Sequence, residues 1–104
     1  MFTNAIVRTP GENFANGLTS TFLGVPDYVR ALQQHCRYCE ALERCGLRVT
    51  HLDRDLGYPD STFVEDTAVL TSRSAILTRP GAISRQGEVA AIRRPTGHLF
   101  LFRF

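Results

Sequence analysis

The most regular pattern of apolar positions lies between Pro26 and Gly46, where apolar side chains recur every three or four residues. That period predicts an amphipathic α-helix whose opposite face carries arginines, glutamines and glutamates. Pro26 and Asp27 are typical of a first helical turn, and Gly46 is typical of the residue that ends a helix. The predicted apolar face consists of Tyr28, Ala31, Leu32, His35, Tyr38, Cys39, Leu42 and Cys45.

Two short strands are predicted on either side of this helix. An apolar run at 5–7 lies between Asn4 and Arg8, and residues 47–52 alternate between apolar and polar side chains. Residues 11–26 are rich in glycine, asparagine, serine and threonine without a clear period, which predicts a long ordered loop. Loops of this length in compact domains are often functional. Strand, helix and strand therefore form the first predicted unit.

The second half of the chain predicts a β-hairpin followed by a helix. Two apolar runs at 68–70 and 75–77 are flanked by threonines, which is typical of paired strands. Ser84 is expected to cap a helix that runs to residue 92, and Pro95 is expected to end any helix. The complete order is strand, helix, strand, strand, strand, helix, which predicts an α/β fold with mixed strand directions.

Composition limits the classes of function. With 104 residues, the chain has the length of one small domain, and no apolar run is long enough to cross a bilayer. The net charge is +2, and the twelve basic residues are arginines scattered along the chain, so nucleic-acid binding is not expected. The first residues lack the pattern of a secretory signal, which leads us to expect a cytoplasmic protein.

The end of the sequence departs from the preceding pattern. Residues 93–104 finish in an almost unbroken apolar run, and no later element follows to cover it. Such a terminus favours aggregation unless it pairs with a sheet edge or with another molecule. We therefore expect residues 93–104 to be foreign to a domain formed by residues 1–92.

A cluster of acids precedes the predicted hairpin, where Asp60, Glu65 and Asp66 lie around Phe63. Because charged side chains are mostly exposed, the cluster can be a solvated acidic turn. It can also be a pocket for a cation, since carboxylates bind a planar guanidinium and an aromatic ring can cover its face. In an extended segment, Glu65 and Asp66 would point to opposite faces. Both interpretations remain open at this point.

Three cysteines, Cys36, Cys39 and Cys45, lie on or at the end of the predicted helix. Their odd number is not typical of a disulfide scaffold, and burial as small apolar side chains is the favoured interpretation. The alternative is a zinc or redox site in which the thiols of Cys36 and Cys39 are joined by Cys45 and His51. No second Cys-x-x-Cys or His-x-x-x-His pair accompanies Cys36 and Cys39. We therefore predict no metal site and no cofactor.

Longer segments of the chain resemble the N-terminal part of the dimethylarginine dimethylaminohydrolase family. They are, in order and spacing, IVRTPGENFANGLTS, LGVPDYVRALQQH, YPDSTFVEDTAVLTSRSAILTRPGAISR and GEV, and the resemblance covers residues 2–92. It implies a pentein fold, an α/β propeller of five modules, of which this chain would supply about two. It also implies hydrolysis of N-methylated arginines to citrulline and methylamines through a cysteine nucleophile.

The resemblance further implies roles for five residues. The backbone of Leu18 and the side chain of Asp60 would receive the α-amino group of the substrate, and Arg85 would pair with its α-carboxylate. Glu65 and Asp66 would hold the guanidinium. The family's catalytic cysteine and histidine have no counterpart in this sequence, so no catalytic residue is assigned.

Three hypotheses follow for the function of the chain. The leading hypothesis is a fragment of a dimethylarginine-hydrolysing enzyme that keeps one wall of the substrate pocket and is inactive alone. The second is a non-catalytic module that binds cationic amino acids, or that pairs with a complementary chain or with a copy of itself. The third is a metal-responsive or redox-responsive protein whose cysteines carry the function.

Overall fold

The computed structural model describes residues 2–20 and 23–100, with the backbone alone for residues 95–100. Over these ranges it has a mixed α/β architecture, as the sequence predicts. No helix in the described ranges is long and apolar enough to span a bilayer. The strands are β1 (Asn4–Arg8), β2 (Arg48–Leu52), β3 (Ala68–Leu70) and β4 (Ala75–Leu77), and the helices are α1 (Tyr28–Arg44) and α2 (Glu88–Phe100).

The first half of the fold is the predicted strand, helix and strand. β1 and β2 pair in parallel, with Ile6 opposite Thr50, and a parallel pair needs a crossover such as α1 to bring the chain back. The Asp27 side chain caps α1 by accepting a hydrogen bond from the Arg30 amide at 3.1 Å. After the helix, Gly46 adopts a φ of +85°, a conformation that favours glycine and ends the helix as predicted.

The predicted hairpin is formed by β3 and β4, which pair antiparallel with Val69 opposite Ile76. The turn between them contains neither glycine nor asparagine. Instead the hydroxyl of Thr71 accepts hydrogen bonds from the amides of Arg73 and Ser74 at 3.2 and 3.0 Å, and the Thr71 amide donates to the Ser74 carbonyl at 2.8 Å. A threonine side chain therefore closes this turn by bonding to the backbone two and three residues later.

The second helix differs from its prediction at both ends. It begins at Glu88, because residues Ile83–Arg85 form a separate 3₁₀ turn, so Ser84 does not cap it. The expectation that Pro95 ends the helix is wrong, since α2 continues to Phe100. Proline removes one hydrogen bond from a helix, and the bonds of the other residues can carry the helix past it. Residues 101–104 of the apolar tail lie outside the described residues.

The small buried core joins the two halves of the described chain. It contains Val7 of β1, Cys39 of α1, Ala75 of β4 and Ile92 of α2. The expectation that the helix buries its cysteines is confirmed for Cys39 and wrong for Cys36 and Cys45, which are exposed. The reason is geometric, because α1 packs on a sheet of two strands, which covers only a narrow stripe of a helix.

Candidate functional site

The acidic segment ahead of β3 folds into consecutive tight turns. The Phe63 amide donates to the Asp60 carbonyl at 3.0 Å, and the Asp66 amide donates to the Phe63 carbonyl at 3.2 Å. A 3₁₀ turn, Val64–Thr67, follows and leads directly into β3. The segment is therefore not extended, and Glu65 and Asp66 do not point to opposite faces, because successive side chains of a 3₁₀ turn differ by about 120°.

Asp60 is held against the long loop near the N-terminus. Its Oδ2 accepts a hydrogen bond from the Leu18 amide at 2.9 Å, and the residue is only 9% exposed. The loop approaches so closely because Gly17 has no side chain: a Cβ at Gly17 would collide with Oδ1 of Asp60. The 3₁₀ turn Glu12–Asn16 precedes this contact, so the loop predicted for residues 11–26 begins with a short helical segment.

Two open clefts meet at the ring of Phe63. The first, here called the loop cleft, has a volume of about 580 Å³ and contains Leu18, Asp60 and Phe63 in its wall. The second, here called the helix cleft, has a volume of about 700 Å³ and is lined by Phe63, Glu65 and mainly apolar residues, together with His35 of α1. An aromatic ring therefore separates a cleft with a buried carboxylate from a cleft with an exposed one.

Arg85 lies behind the acidic segment, and all three nitrogens of its guanidinium donate hydrogen bonds. Its Nε donates to both oxygens of Glu88 at 3.1 Å, and its Nη2 donates to Glu88 at 2.8 Å. Nη2 also donates to the carbonyls of Asp60 and Phe63 at 3.1 and 3.3 Å, and Nη1 donates to Asp66 at 2.6 Å. Bonding to Glu88, and secondly to Asp66, raises the pKa of Arg85 above its ordinary value despite burial.

The remaining two acids of the cluster are accessible. The side chain of Asp66 is 52% exposed although it pairs with Arg85, and its backbone is fixed because the Thr78 hydroxyl donates to the Asp66 carbonyl at 2.5 Å. Glu65 is exposed and borders the helix cleft. Each acid can therefore meet a ligand without first being uncovered.

The structure brings the five residues singled out from the sequence together in three places. Leu18 and Asp60 are in direct contact, Asp66 and Arg85 form an ion pair, and Glu65 lies in the neighbouring cleft. Sequence reasoning missed Glu88, which is the main partner of Arg85. Its position three residues after Arg85, within the same predicted helix, is the signal that could have identified it.

The cysteines form no site comparable to this one. Sγ of Cys39 lies 3.5 Å from Nε2 of His35. Burial, and secondly the nearby Cys36, raise the pKa of the Cys39 thiol, whereas burial and His51 lower the pKa of His35. Both shifts favour a neutral thiol beside a neutral imidazole. A neutral thiol is a poor nucleophile. Within residues 2–20 and 23–94, whose side chains the structure describes, no group of three or more His, Cys, Asp or Glu side chains could hold a metal ion.

Comparison with known sequences gives relatives that include two dimethylarginine dimethylaminohydrolases. An N(G),N(G)-dimethylarginine dimethylaminohydrolase of Pseudomonas aeruginosa is 52% identical over 92 residues, which are 88% of this chain and 36% of that enzyme. The corresponding protein of Streptomyces coelicolor is 38% identical over 96 residues, which are 91% of this chain and 37% of that protein. No protein-family model matches the chain.

Comparison with solved structures agrees. A dimethylarginine dimethylaminohydrolase with a histidine-to-glycine replacement, in an adduct with S-methyl-L-thiocitrulline, superimposes with a TM-score of 0.93 at 48% identity. A cysteine-to-serine mutant of the Pseudomonas aeruginosa enzyme, complexed with citrulline, gives the same TM-score and identity. Each match covers 96% of this chain and 39% of the solved chain. The chain thus spans somewhat more than a third of the length of each of these four chains.

Proposed function

Because this chain is a homologue of the dimethylarginine dimethylaminohydrolases over most of its length, we propose that it binds methylated arginine and supplies one wall of a dimethylarginine-hydrolysing site. The observation that carries the proposal is the buried carboxylate of Asp60, which lines the loop cleft while bonded to Leu18. A carboxylate removed from bulk water at a cleft wall is a strong partner for a ligand cation.

In this proposal the loop cleft receives the α-amino end of the ligand. An ammonium group has three donors, and a carboxylate offers about four acceptor positions. Among the described residues, the Leu18 amide is the donor to the Asp60 carboxylate, so these contacts leave further acceptor positions for the ammonium. The carbonyl of Leu18 belongs to the same segment of the loop and is the natural second acceptor, which agrees with the role that the family resemblance implies.

The guanidinium end of the ligand would extend past Phe63 toward Glu65 and Asp66. Both acids are exposed, and the aromatic face of Phe63 lies between the two clefts to cover a planar cation. Only Oδ2 of Asp66 is bonded to Arg85, so its other oxygen can accept from a ligand N–H. The ligand would therefore span both clefts, and each of its two cationic ends would meet at least one carboxylate of the protein.

Arg85 would meet the α-carboxylate through one edge of its guanidinium. Its Nε and Nη2 are occupied by Glu88 and by the carbonyls of Asp60 and Phe63. Nη1 carries two hydrogens, and among the described residues its hydrogen-bond acceptor is Asp66. We infer that a ligand carboxylate takes the second Nη1 hydrogen, and that a bidentate contact would require Asp66 to release Arg85.

We further propose that these residues do not perform hydrolysis by themselves. The thiol and imidazole that lie together in the described chain are Cys39 and His35, and Cys39 is 5% exposed with a raised pKa. A thiol in that state is the opposite of an activated nucleophile.

The two halves of the fold, β1–α1–β2 and β3–β4–α2, would correspond to two of the five modules of a pentein propeller.

Calorimetry with asymmetric dimethylarginine tests the proposal, with a second ligand that lacks the α-amino group. We expect Asp60→Asn to weaken dimethylarginine by about tenfold or more and to leave the desamino ligand unchanged, because only the first ligand uses this carboxylate. Asp53→Asn, at an exposed acid outside both clefts, is the matched control.

Two results would contradict the proposal. One is no heat of binding at millimolar dimethylarginine, which corresponds to a free energy of binding weaker than about 4 kcal/mol. The other is an equal loss of affinity for both ligands in Asp60→Asn. A parallel assay for citrulline, in which we expect no release by the wild-type chain, tests the statement on hydrolysis separately.

A further inference from the structure

Glu88 is a buried carboxylate that the proposed ligand contacts do not use. It is the first residue of α2, and its side chain is 4% exposed. Burying a carboxylate is costly unless a cation and hydrogen bonds compensate for the lost water. Arg85 supplies both, with three donor contacts of 2.8 to 3.1 Å, and the positive end of the helix dipole adds to the stabilisation.

The contact with Glu88 determines which edge of Arg85 faces the acidic segment. Because Glu88 takes Nε and one side of Nη2, the opposite edge of the guanidinium points at Asp60, Phe63 and Asp66. A guanidinium is planar and rigid, so fixing one edge fixes the other. One side chain thereby holds the backbone on either side of the two clefts and the carboxylate of Asp66.

We propose that Glu88 is a positioning residue that acts through Arg85 to hold the ligand-binding segment, residues 60–66, in the geometry that meets a methylated arginine. This inference rests on the proposed function for its ligand. Its structural part, the orientation of Arg85 by Glu88, stands on the hydrogen bonds alone.

The two acids beside Arg85 differ in a way that makes Glu88 the decisive partner. Asp66 is 52% exposed, whereas Glu88 is 4% exposed and Arg85 is 14% exposed. Without the Glu88 charge, the guanidinium would keep only an exposed acid and two carbonyls, and it would follow Asp66 toward solvent. Its Nη2 would then leave the carbonyls of Asp60 and Phe63, and both clefts would lose their fixed wall.

Glu88 also permits Asp66 to serve two cations together. A ligand guanidinium that binds the other oxygen of Asp66 shares the charge of the carboxylate with Nη1 of Arg85, and this competition weakens the bond from Nη1 to Oδ2. Arg85 remains in place during this competition because its other edge is bonded to Glu88. The ligand therefore gains Asp66 without an accompanying movement of Arg85.

The first measurement needs no ligand. In ¹⁵N NMR of the wild-type chain, we expect the Arg85 Nε–H to exchange slowly with water, because it donates to two buried carboxylate oxygens. Glu88→Gln keeps one acceptor and removes the charge, so exchange should become faster by about tenfold or more. Glu88→Asp keeps the charge on a shorter side chain and should give an intermediate rate, and it replaces Glu88→Gln if that variant does not fold.

The second measurement is the affinity for dimethylarginine by calorimetry. We expect Glu88→Gln to weaken it by about tenfold, with partial rescue in Glu88→Asp. Glu12→Gln is the matched control, because Glu12 also pairs with an arginine, Arg54, at 3.4 Å on the exposed surface. That variant should bind as the wild type does.

The outcomes separate this inference from the proposed function. Unchanged Nε–H exchange in Glu88→Gln would overturn the positioning role whatever the ligand does. Faster exchange with affinity within about twofold of the wild type would overturn its connection to binding. If the wild-type chain does not bind dimethylarginine, the proposed function fails, while the exchange measurement still decides whether Glu88 orients Arg85.

Discussion

The Leu18 amide donates to Oδ2 of Asp60 across 2.9 Å, joining two segments that are 42 residues apart in the sequence. This bond makes the loop cleft, because it fixes the N-terminal loop against the turn that carries Asp60. It also leaves part of the Asp60 carboxylate for a ligand.

Gly17→Ala should damage the loop cleft directly. A Cβ at this position would collide with Oδ1 of Asp60, so either the loop or the carboxylate must move, at a cost of about 1–3 kcal/mol. Urea unfolding should show that loss, and calorimetry should show weaker binding of dimethylarginine. Gly81→Ala is the control, since a Cβ there meets nothing within 4 Å. Equal behaviour of the two variants would contradict the account of this contact.

Gly87→Ala should separate the acidic segment from the start of α2. A Cβ on Gly87 would overlap the hydroxyl of Tyr58, which precedes Asp60 in the same loop. We expect a loss of about 1–3 kcal/mol in the free energy of unfolding. The double variant with Tyr58→Ala removes the clash, so it should be more stable than the sum of the two single effects predicts. Strict additivity would show that the two residues do not collide.

His35 should make the stability of the fold depend on pH. Burial, and secondly the charge of His51, lower the pKa of His35 from 6.5. The unfolded chain then binds more protons than the folded chain between the lowered value and 6.5. The contribution of neutral His35 to stability is therefore fully present above this window, and it is lost as the pH decreases through it.

Thermal unfolding between about pH 7.5 and about pH 5.5 measures this effect. On acidification, the melting temperature of His35→Gln should fall less steeply than that of the wild type. His51→Gln should reduce this slope by less than His35→Gln does, because it removes only the second cause of the His35 pKa shift. The same slope in the wild type and in His35→Gln would contradict the assignment.

The three thiols should react with a disulfide reagent at two rates. Cys36 and Cys45 are exposed, whereas Cys39 is buried with a raised pKa. Reaction requires an accessible thiolate, so two thiols should react quickly and Cys39 only after unfolding. The variant with Cys36→Ser and Cys45→Ser isolates Cys39, and a fast reaction in that variant would contradict its burial.

Much of the fold follows from residue patterns along the chain. The three-to-four period of α1 and its end at Gly46 are local signals, and the structure contains both. Asp27, which was expected in the first helical turn, is instead the cap that precedes it. The second helix was harder, because its start depends on contacts that are distant in sequence. Ser84 was the expected cap, but the chain needs a glycine at 87 because the hydroxyl of Tyr58 occupies the space that a side chain would fill.

The candidate site divides in the same way. The acids around Phe63 were visible as a cluster, but their chemistry depends on burial, and sequence does not state that Asp60 is 9% exposed while Asp66 is exposed. Tight turns replace an extended segment because the amides of Phe63 and Asp66 bond to carbonyls three residues earlier. The role of Glu88 emerged only from its contacts with Arg85.

The most direct test of the central claim is an NMR titration of the ¹⁵N-labelled chain with asymmetric dimethylarginine. The account predicts amide shift changes concentrated at Leu18, Asp60, Phe63, Glu65 and Asp66, which line or adjoin the two clefts. In Asp60→Asn the shift change at the Leu18 amide should decrease more than the changes at Glu65 and Asp66, because the amino end of the ligand loses its partner. Shift changes confined to the exposed face of α1, or none at millimolar ligand, would contradict the claim that these clefts bind methylated arginine.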